Sequence, residues 1–312
     1  MVRALVVFLV LTLPFMAFGQ DVVKVNILEI ANKIPAPPTD VKDAFSRTVE
    51  VQQEGSVSSH RETDPYYKPV KDKMEAVNKQ IEKALQVLAK PQMDVANEMN
   101  QKEMQKKFQT MSQEEQMKMA MEMSKKMGMG AIVPEPEPVK AAVTECINVN
   151  QAIGADMQGA QEWYRKRQKM EQDREKQHSD IDAWKETELA KLPQISYGEM
   201  GGPEPKAEYA LLTKVMQKHL AVENDYLKAV QKEWKAGWDK YVARFSPLQE
   251  KLAKINYGAD AKNPPTKQQL LTGQGQMVSS TGDLIELSSK STESSAEWWQ
   301  RKLELEKNKP KD

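Results

Sequence analysis

Residues 216–255 read MQKHLAVENDYLKAVQKEWKAGWDKYVARFSPLQEKLAKI, and their spacing sets the expected fold of the chain. Leu220, Leu227, Trp234, Tyr241, Leu248 and Ile255 stand seven apart, with Met216, Val230, Phe245 and Leu252 at neighbouring positions on the same side. Seven residues fall just short of two helical turns, so the pattern predicts a long helix whose apolar seam winds slightly left-handed against a partner. Pro247 is expected to bend it near its end.

Two stops flank this segment. Upstream, LAKLPQISYGEMGGPEP (189–205) carries Pro193, a glycine pair and two further prolines; downstream, LAKINYGADAKNPP (252–265) echoes it with Leu-Ala-Lys and Ile-x-Tyr-Gly before proline. Both read as a helix closing on a C-terminal glycine before the chain reverses. Beyond the first stop, residues 140–192 hold no proline and only Gly154 and Gly159, which permits a helix of that length. Beyond the second, Leu270, Met277, Leu284, Trp298 and Leu305 share one heptad line, and Leu271, Val278, Ile285 and Trp299 lie alongside. Gly273, Gly275 and many serines weaken that helix but let a neighbour approach closely.

Three long segments joined by two short turns predict an all-α chain. Its main part, 140–308, is expected to be an elongated, coiled-coil-like antiparallel bundle of three helices. At 1.5 Å per residue a fifty-residue helix is about 75 Å long, so the expectation is a rod. A further helical segment, 65–130, starts at Asp64-Pro65, where proline in the first turn after an acid marks a helix start. Tyr67, Val70, Met74, Val77, Ile81, Ala84 and Leu88 recur in steps of three and four up to Lys90-Pro91, which reads as their end. Residues 131–139, with PEPEP, read as an extended linker, and 20–64 as an irregular N-terminal segment.

The first nineteen residues have a different character. Arg3, an apolar run from Ala4 to Met16 and the small-residue end Ala17-Phe18-Gly19 have the layout of a secretory signal peptide cleaved after Gly19. The run is short for a membrane span and contains Pro14, so cleavage is preferred to an uncleaved anchor. Export to a periplasm or the extracellular space permits disulfides, yet Cys146 is the only cysteine. It is either a small buried residue or a thiol that joins two copies.

Charge bounds the partners. With 45 Lys plus Arg against 45 Asp plus Glu the chain is neutral, which argues against binding nucleic acid. Balanced charge also gives little pull towards anionic lipid, so membrane-surface contact is not favoured. No HExxH, G-x-S-x-G, Walker loop or CxxC occurs, and the expectation is a protein that is not an enzyme and carries no cofactor.

Two constellations deserve weighing as metal ligands. Ten of eighteen methionines fall between Met93 and Met129. On a helix Met119, Met123 and Met127 form one column and Met117 and Met121 another, which suits soft Cu(I). Against this, Glu115, Lys118, Glu122 and Lys125 gather on one narrow polar stripe, leaving the methionines as the wide apolar face of an amphipathic helix. Packing or partner contact is the preferred reading. The second constellation appears when the chain is folded about residue 198: His178 falls opposite His219, and Arg174 opposite Glu223, with Asp182 one turn after His178. Two histidines and two carboxylates on facing helices could ligate a metal; the plainer reading is a polar layer. The function expected is that of an exported structural or interaction component, meeting protein partners or copies of itself through helical seams and the Met-rich face.

Overall fold

Helix-favouring composition and few aromatics are matched by the computed structural model, which is mostly helical and describes residues 24–52, 59–98, 112, 115, 118–119, 122, 133–197 and 200–310. The elements are α1 (Ile27–Ala31), α2 (Val41–Ser46), β1 (Val49–Gln52), β2 (Ser59–Glu62), α3 (Asp64–Glu98), α4 (Glu137–Ala155), α5 (Met157–Leu189), β3 (Gln194–Tyr197), β4 (Met200–Pro203), α6 (Pro205–Leu252), α7 (Tyr257–Asp260) and α8 (Pro264–Lys307). The leader, residues 1–19, lies outside the described residues, as do Met117, Met121, Met123 and Met127.

Several local expectations need correction. The segment permitted as one helix over 140–192 is two, α4 and α5, divided at Asp156, which makes no side-chain cap; Gly154, a poor helix former, precedes the break. Pro91 does not end α3. It stands exposed inside the helix, and the carbonyl that loses its regular donor belongs to Val87, itself 64% exposed, where water can serve. Neither stop closes on glycine. The cap of α5 is Ala190, and the glycine-rich stretch instead pairs as the antiparallel ribbon β3–β4, with Ile195 opposite Gly202. In the second stop Gly258 sits inside the short α7.

The linker is also tied down at its C-terminal end. Residues 137–139 already belong to α4, and Glu135 accepts the backbone N–H groups of Lys262 and Asn263 at 3.0 and 2.9 Å. Asn263 in turn donates to the Val133 carbonyl at 2.7 Å. The N-terminal segment expected to be irregular holds α1, α2 and the antiparallel β1–β2 ribbon. Asp40 caps α2 by accepting from Lys42 N and Asp43 N at 2.9 and 2.8 Å, which satisfies two of its orphan donors.

The chain forms two compact units. One is drawn from residues up to Asn32, Asp72–Gly154 and Val242–Ser280. Its core joins Ile81 of α3, Cys146 of α4, Phe245 and Leu248 of α6, and Leu270 and Met277 of α8, each no more than 2% exposed. Lys251 of α6 pairs with Glu145 of α4, and Gln276 of α8 bonds Asn150 of α4. Buried Ile27 N donates to Gln249 Oε1 at 3.0 Å, fastening α1 to α6.

The other unit is drawn from Lys33–Lys71, Ala155–Tyr241 and Thr281–Asp312. Val41 and Ala44 of α2, Leu220 and Leu227 of α6 and Ala296 of α8 form its apolar cluster, with Met216, Tyr226, Trp298 and Trp299 packed on it. The proline-rich stretch before α2 lies across two helices: Ser288 of α8 donates to the Pro35 carbonyl and Gln231 of α6 to that of Pro38, both at 2.9 Å. Tyr67, fully buried at the start of α3, meets Ser288 Oγ at 2.6 Å. The heptad line of α6 is therefore largely internal, with Leu227 and Leu248 at 0% exposure and Tyr241 at 4%.

Candidate functional site

Contacts in the second unit fix how α5, α6 and α8 run. Lys166 meets Glu233 at 2.5 Å, Arg174 meets Glu223 at 2.7 Å and His178 meets His219 at 2.7 Å, so ascending positions on α5 face descending positions on α6. Trp234 donates to the Leu284 carbonyl at 3.1 Å and Ser295 to Glu223 at 2.7 Å, which runs α8 against α6 in the same way.

Where the three helices meet, a chain of polar groups lies inside the apolar cluster. Glu223, with no exposed side-chain surface, is its centre. Its Oε1 accepts from Arg174 Nε at 2.7 Å and faces His178 Nε2 at 2.6 Å, while Oε2 accepts from the Ser295 hydroxyl. His178 Nδ1 faces His219 Nδ1, and His219 Nε2 lies 3.4 Å from Asp182 Oδ1. Ring centroids of the two histidines are 4.9 Å apart, as two imidazoles joined edge to edge require. Trp298 covers the pair, its ring 4.3 Å from each imidazole and inclined 12° and 23° to them. Arg301 sits 4.5 Å from the Trp298 ring, and Arg174 lies 4.6 Å from that of Tyr226.

This layer survives burial because every charge is answered. Burial alone would raise the Glu223 carboxyl, but the His178 hydrogen bond, the Arg174 charge and the Ser295 hydroxyl outweigh it and hold it below the ordinary glutamate range. His219 moves down, chiefly because it is buried and next because it faces His178; Asp182 pulls the other way. Asp182 is the open end of the chain, its side chain 56% exposed.

The pairing drawn about residue 198 places His178, His219, Arg174, Glu223 and Asp182 where the structure has them together. It does not reach Ser295, Trp298 or Ser294, whose hydroxyl accepts from Arg174 Nη1 at 3.3 Å, all on α8. Folding the sequence a second time, about residue 259 in the second stop, sets Ser295 opposite Glu223, so a signal for them existed. Their arrangement is that of a hydrogen-bond chain. A zinc ion needs each nitrogen at about 2.0–2.1 Å, and two facing nitrogens 2.7 Å apart leave no place for it between them. Among the described residues no group of three or more His, Cys, Asp or Glu is disposed to hold a metal. Of the methionine candidates only Met119 is described, and it is half-buried.

Cys146 is fully buried against α8, and burial pushes its thiol up to about 12. Comparison with known proteins adds no constraint: no family model, no curated protein and no solved structure matches the chain.

Proposed function

We propose that this is an exported helical protein that works by contact, as a structural or interaction component of the cell envelope or secreted space. In this reading residues 1–19 are a cleaved leader, α5, α6 and α8 pack antiparallel in the second unit, and no reaction is catalysed. The observation that carries it is the fate of the reactive side chains: the histidine pair and Glu223 answer one another under Trp298, and the thiol is sealed in a core.

The structure alters how such contact would be made. Seam residues such as Leu227 and Leu248 are buried within the chain itself, so a partner or second copy would meet the outer faces and the Met-rich segment instead. Among the described residues no helix is long and apolar enough to cross a membrane. Protein recovered from producing cells should begin at Gln20 and be found outside the cytoplasm, and in-cell photo-crosslinking from positions such as Tyr164, 60% exposed on α5, should yield one recurrent partner band. Cytoplasmic protein retaining Met1, or a crosslink pattern without any discrete band, would refute the reading.

A further inference from the structure

Hydrogen and charge counts on the histidine pair fix its resting state. Glu223 already accepts from Arg174 and Ser295, so its 2.6 Å contact with His178 Nε2 requires a hydrogen on that nitrogen. The 2.7 Å contact between the two Nδ1 atoms has room for one hydrogen and no more. Two arginines and two carboxylates surround the pair: Arg174 and Asp182 from α5, Glu223 from α6 and Arg301 from α8, which sum to zero. On α2, packed against the same cluster, Asp43 and Arg47 answer each other at 2.7 Å, and the Tyr226 phenol, raised by burial, stays uncharged. The neutral pair is therefore the balanced one. One hydrogen per ring then falls on His178 Nε2 and on His219 Nδ1, and His219 Nε2 is left bare 3.4 Å from Asp182.

We propose that His178 and His219 form an acid-released latch: the neutral pair joins α5 to α6, and protons taken up on acidification part the two helices there. The closed geometry resists both protons. A first, on His219 Nε2, faces Asp182, but that carboxylate is 56% exposed and its charge is already matched, so the cluster is left with an excess positive charge beside Arg301. A second, on His178 Nδ1, points at the hydrogen of His219 Nδ1 across 2.7 Å and enters only if that contact opens. Opening frees α5 around residues 174–182 and uncovers Trp298, whose ring lies 4.3 Å from each imidazole. The surface that α5 and α8 offer to a partner then changes with external acidity, though the latch itself does not depend on the contact role.

The sign of the pH dependence follows from proton uptake. Unfolded histidines charge near pH 6.5. In the folded chain burial, and next the facing His178, hold His219 below that value, against the pull of Asp182. As pH falls from 6.5 towards the lowered value the unfolded chain binds more protons than the folded one, and stability falls with it; above 6.5 neither state binds them, and this contribution is level. Each proton the folded pair refuses lowers the folded-to-unfolded ratio about tenfold between pH 7.5 and 5.5.

The test uses the purified protein, in which His60 is the only other histidine. Long-range proton–nitrogen spectra of nitrogen-15-labelled histidine at pH 7.5 should show His178 as the Nε2–H tautomer and His219 as the Nδ1–H tautomer, with His219 charging only below pH 6.5. The folded-to-unfolded ratio, from denaturant titration, should fall about tenfold or more between pH 7.5 and 5.5, above the range where ordinary carboxylates titrate. In the His178→Gln/His219→Gln double variant, whose amides can bond to each other and to Glu223, most of that fall should disappear. Amide exchange along residues 174–182, corrected for its intrinsic pH dependence, should quicken over the same interval in the wild type alone. A wild-type profile that is level or rises on acidification, an equal fall in the double variant, or a folded His219 that charges at or above pH 6.5 would each overturn the proposal. Should the double variant not fold, the tautomers and the titration of His219 in the wild type decide.

Discussion

Gly273 of α8 lies directly against Cys146 of α4: a β-carbon built on the glycine would stand 2.5 Å from the sulfur and 3.4 Å from both Cys146 Cβ and Leu248 Cδ2. The glycine is therefore what lets α4 and α8 approach in the first unit. Gly273→Ala should destabilise by about 1–3 kcal/mol despite alanine's better helix propensity, because a short side chain with one torsion and a core leucine must both give way. Adding Cys146→Ala should recover part of the loss, a coupling readable in a double-mutant denaturation cycle.

Further along the same helix the sign reverses. Gly282 is exposed in the interior of α8, and a β-carbon there meets nothing within 4 Å. Gly282→Ala should stabilise by about 1 kcal/mol through helix propensity alone, raising the midpoint of denaturant unfolding.

Cys146 should behave as a core residue. With its thiol raised to about 12 and no exposed surface, it should stay unreactive towards a disulfide reagent at pH 8 and react fully once the protein is unfolded. Non-reducing electrophoresis of folded protein should show no linked dimer, which settles the choice between a packing role and a bridge.

Glu223→Gln removes the charge that answers both Arg174 and His178 inside the cluster, and should cost about 3 kcal/mol. Because the Glu223 carboxyl is depressed when folded, its contribution is present above the ordinary glutamate value and lost as pH falls through the depressed one. The variant's stability should accordingly decline less steeply on acidification than the wild type's, measured by denaturant titration at successive pH values.

Much of this was legible because seven-residue spacing and charge both have a period that helices impose. Leu220, Leu227, Tyr241 and Leu248 announce a helix, and folding the chain about residue 198 puts His178 against His219 without any coordinates. What stayed hidden has physical reasons. Pro91 signals a stop because proline removes a backbone bond, yet an exposed helix surface tolerates the loss. The glycines after α5 suggest a cap and form a strand pair instead, since a ribbon satisfies the same backbone groups. Buried serines on α8, such as Ser288 and Ser295, carry no apolar signal; they tie to a backbone carbonyl and a carboxylate that only the folded chain brings near.

The antiparallel register of the long helices underlies both the site and the proposed contact role, and zero-length carbodiimide crosslinking read by mass spectrometry tests it most directly. The account predicts bonds from Lys166 to Glu233 and from Lys240 to Asp156 in the second unit, and from Lys251 to Glu145 in the first, all within monomeric protein. Monomer in which these lysines instead join carboxylates at other registers along α4, α5 and α6, with none of the three bonds present, would contradict it.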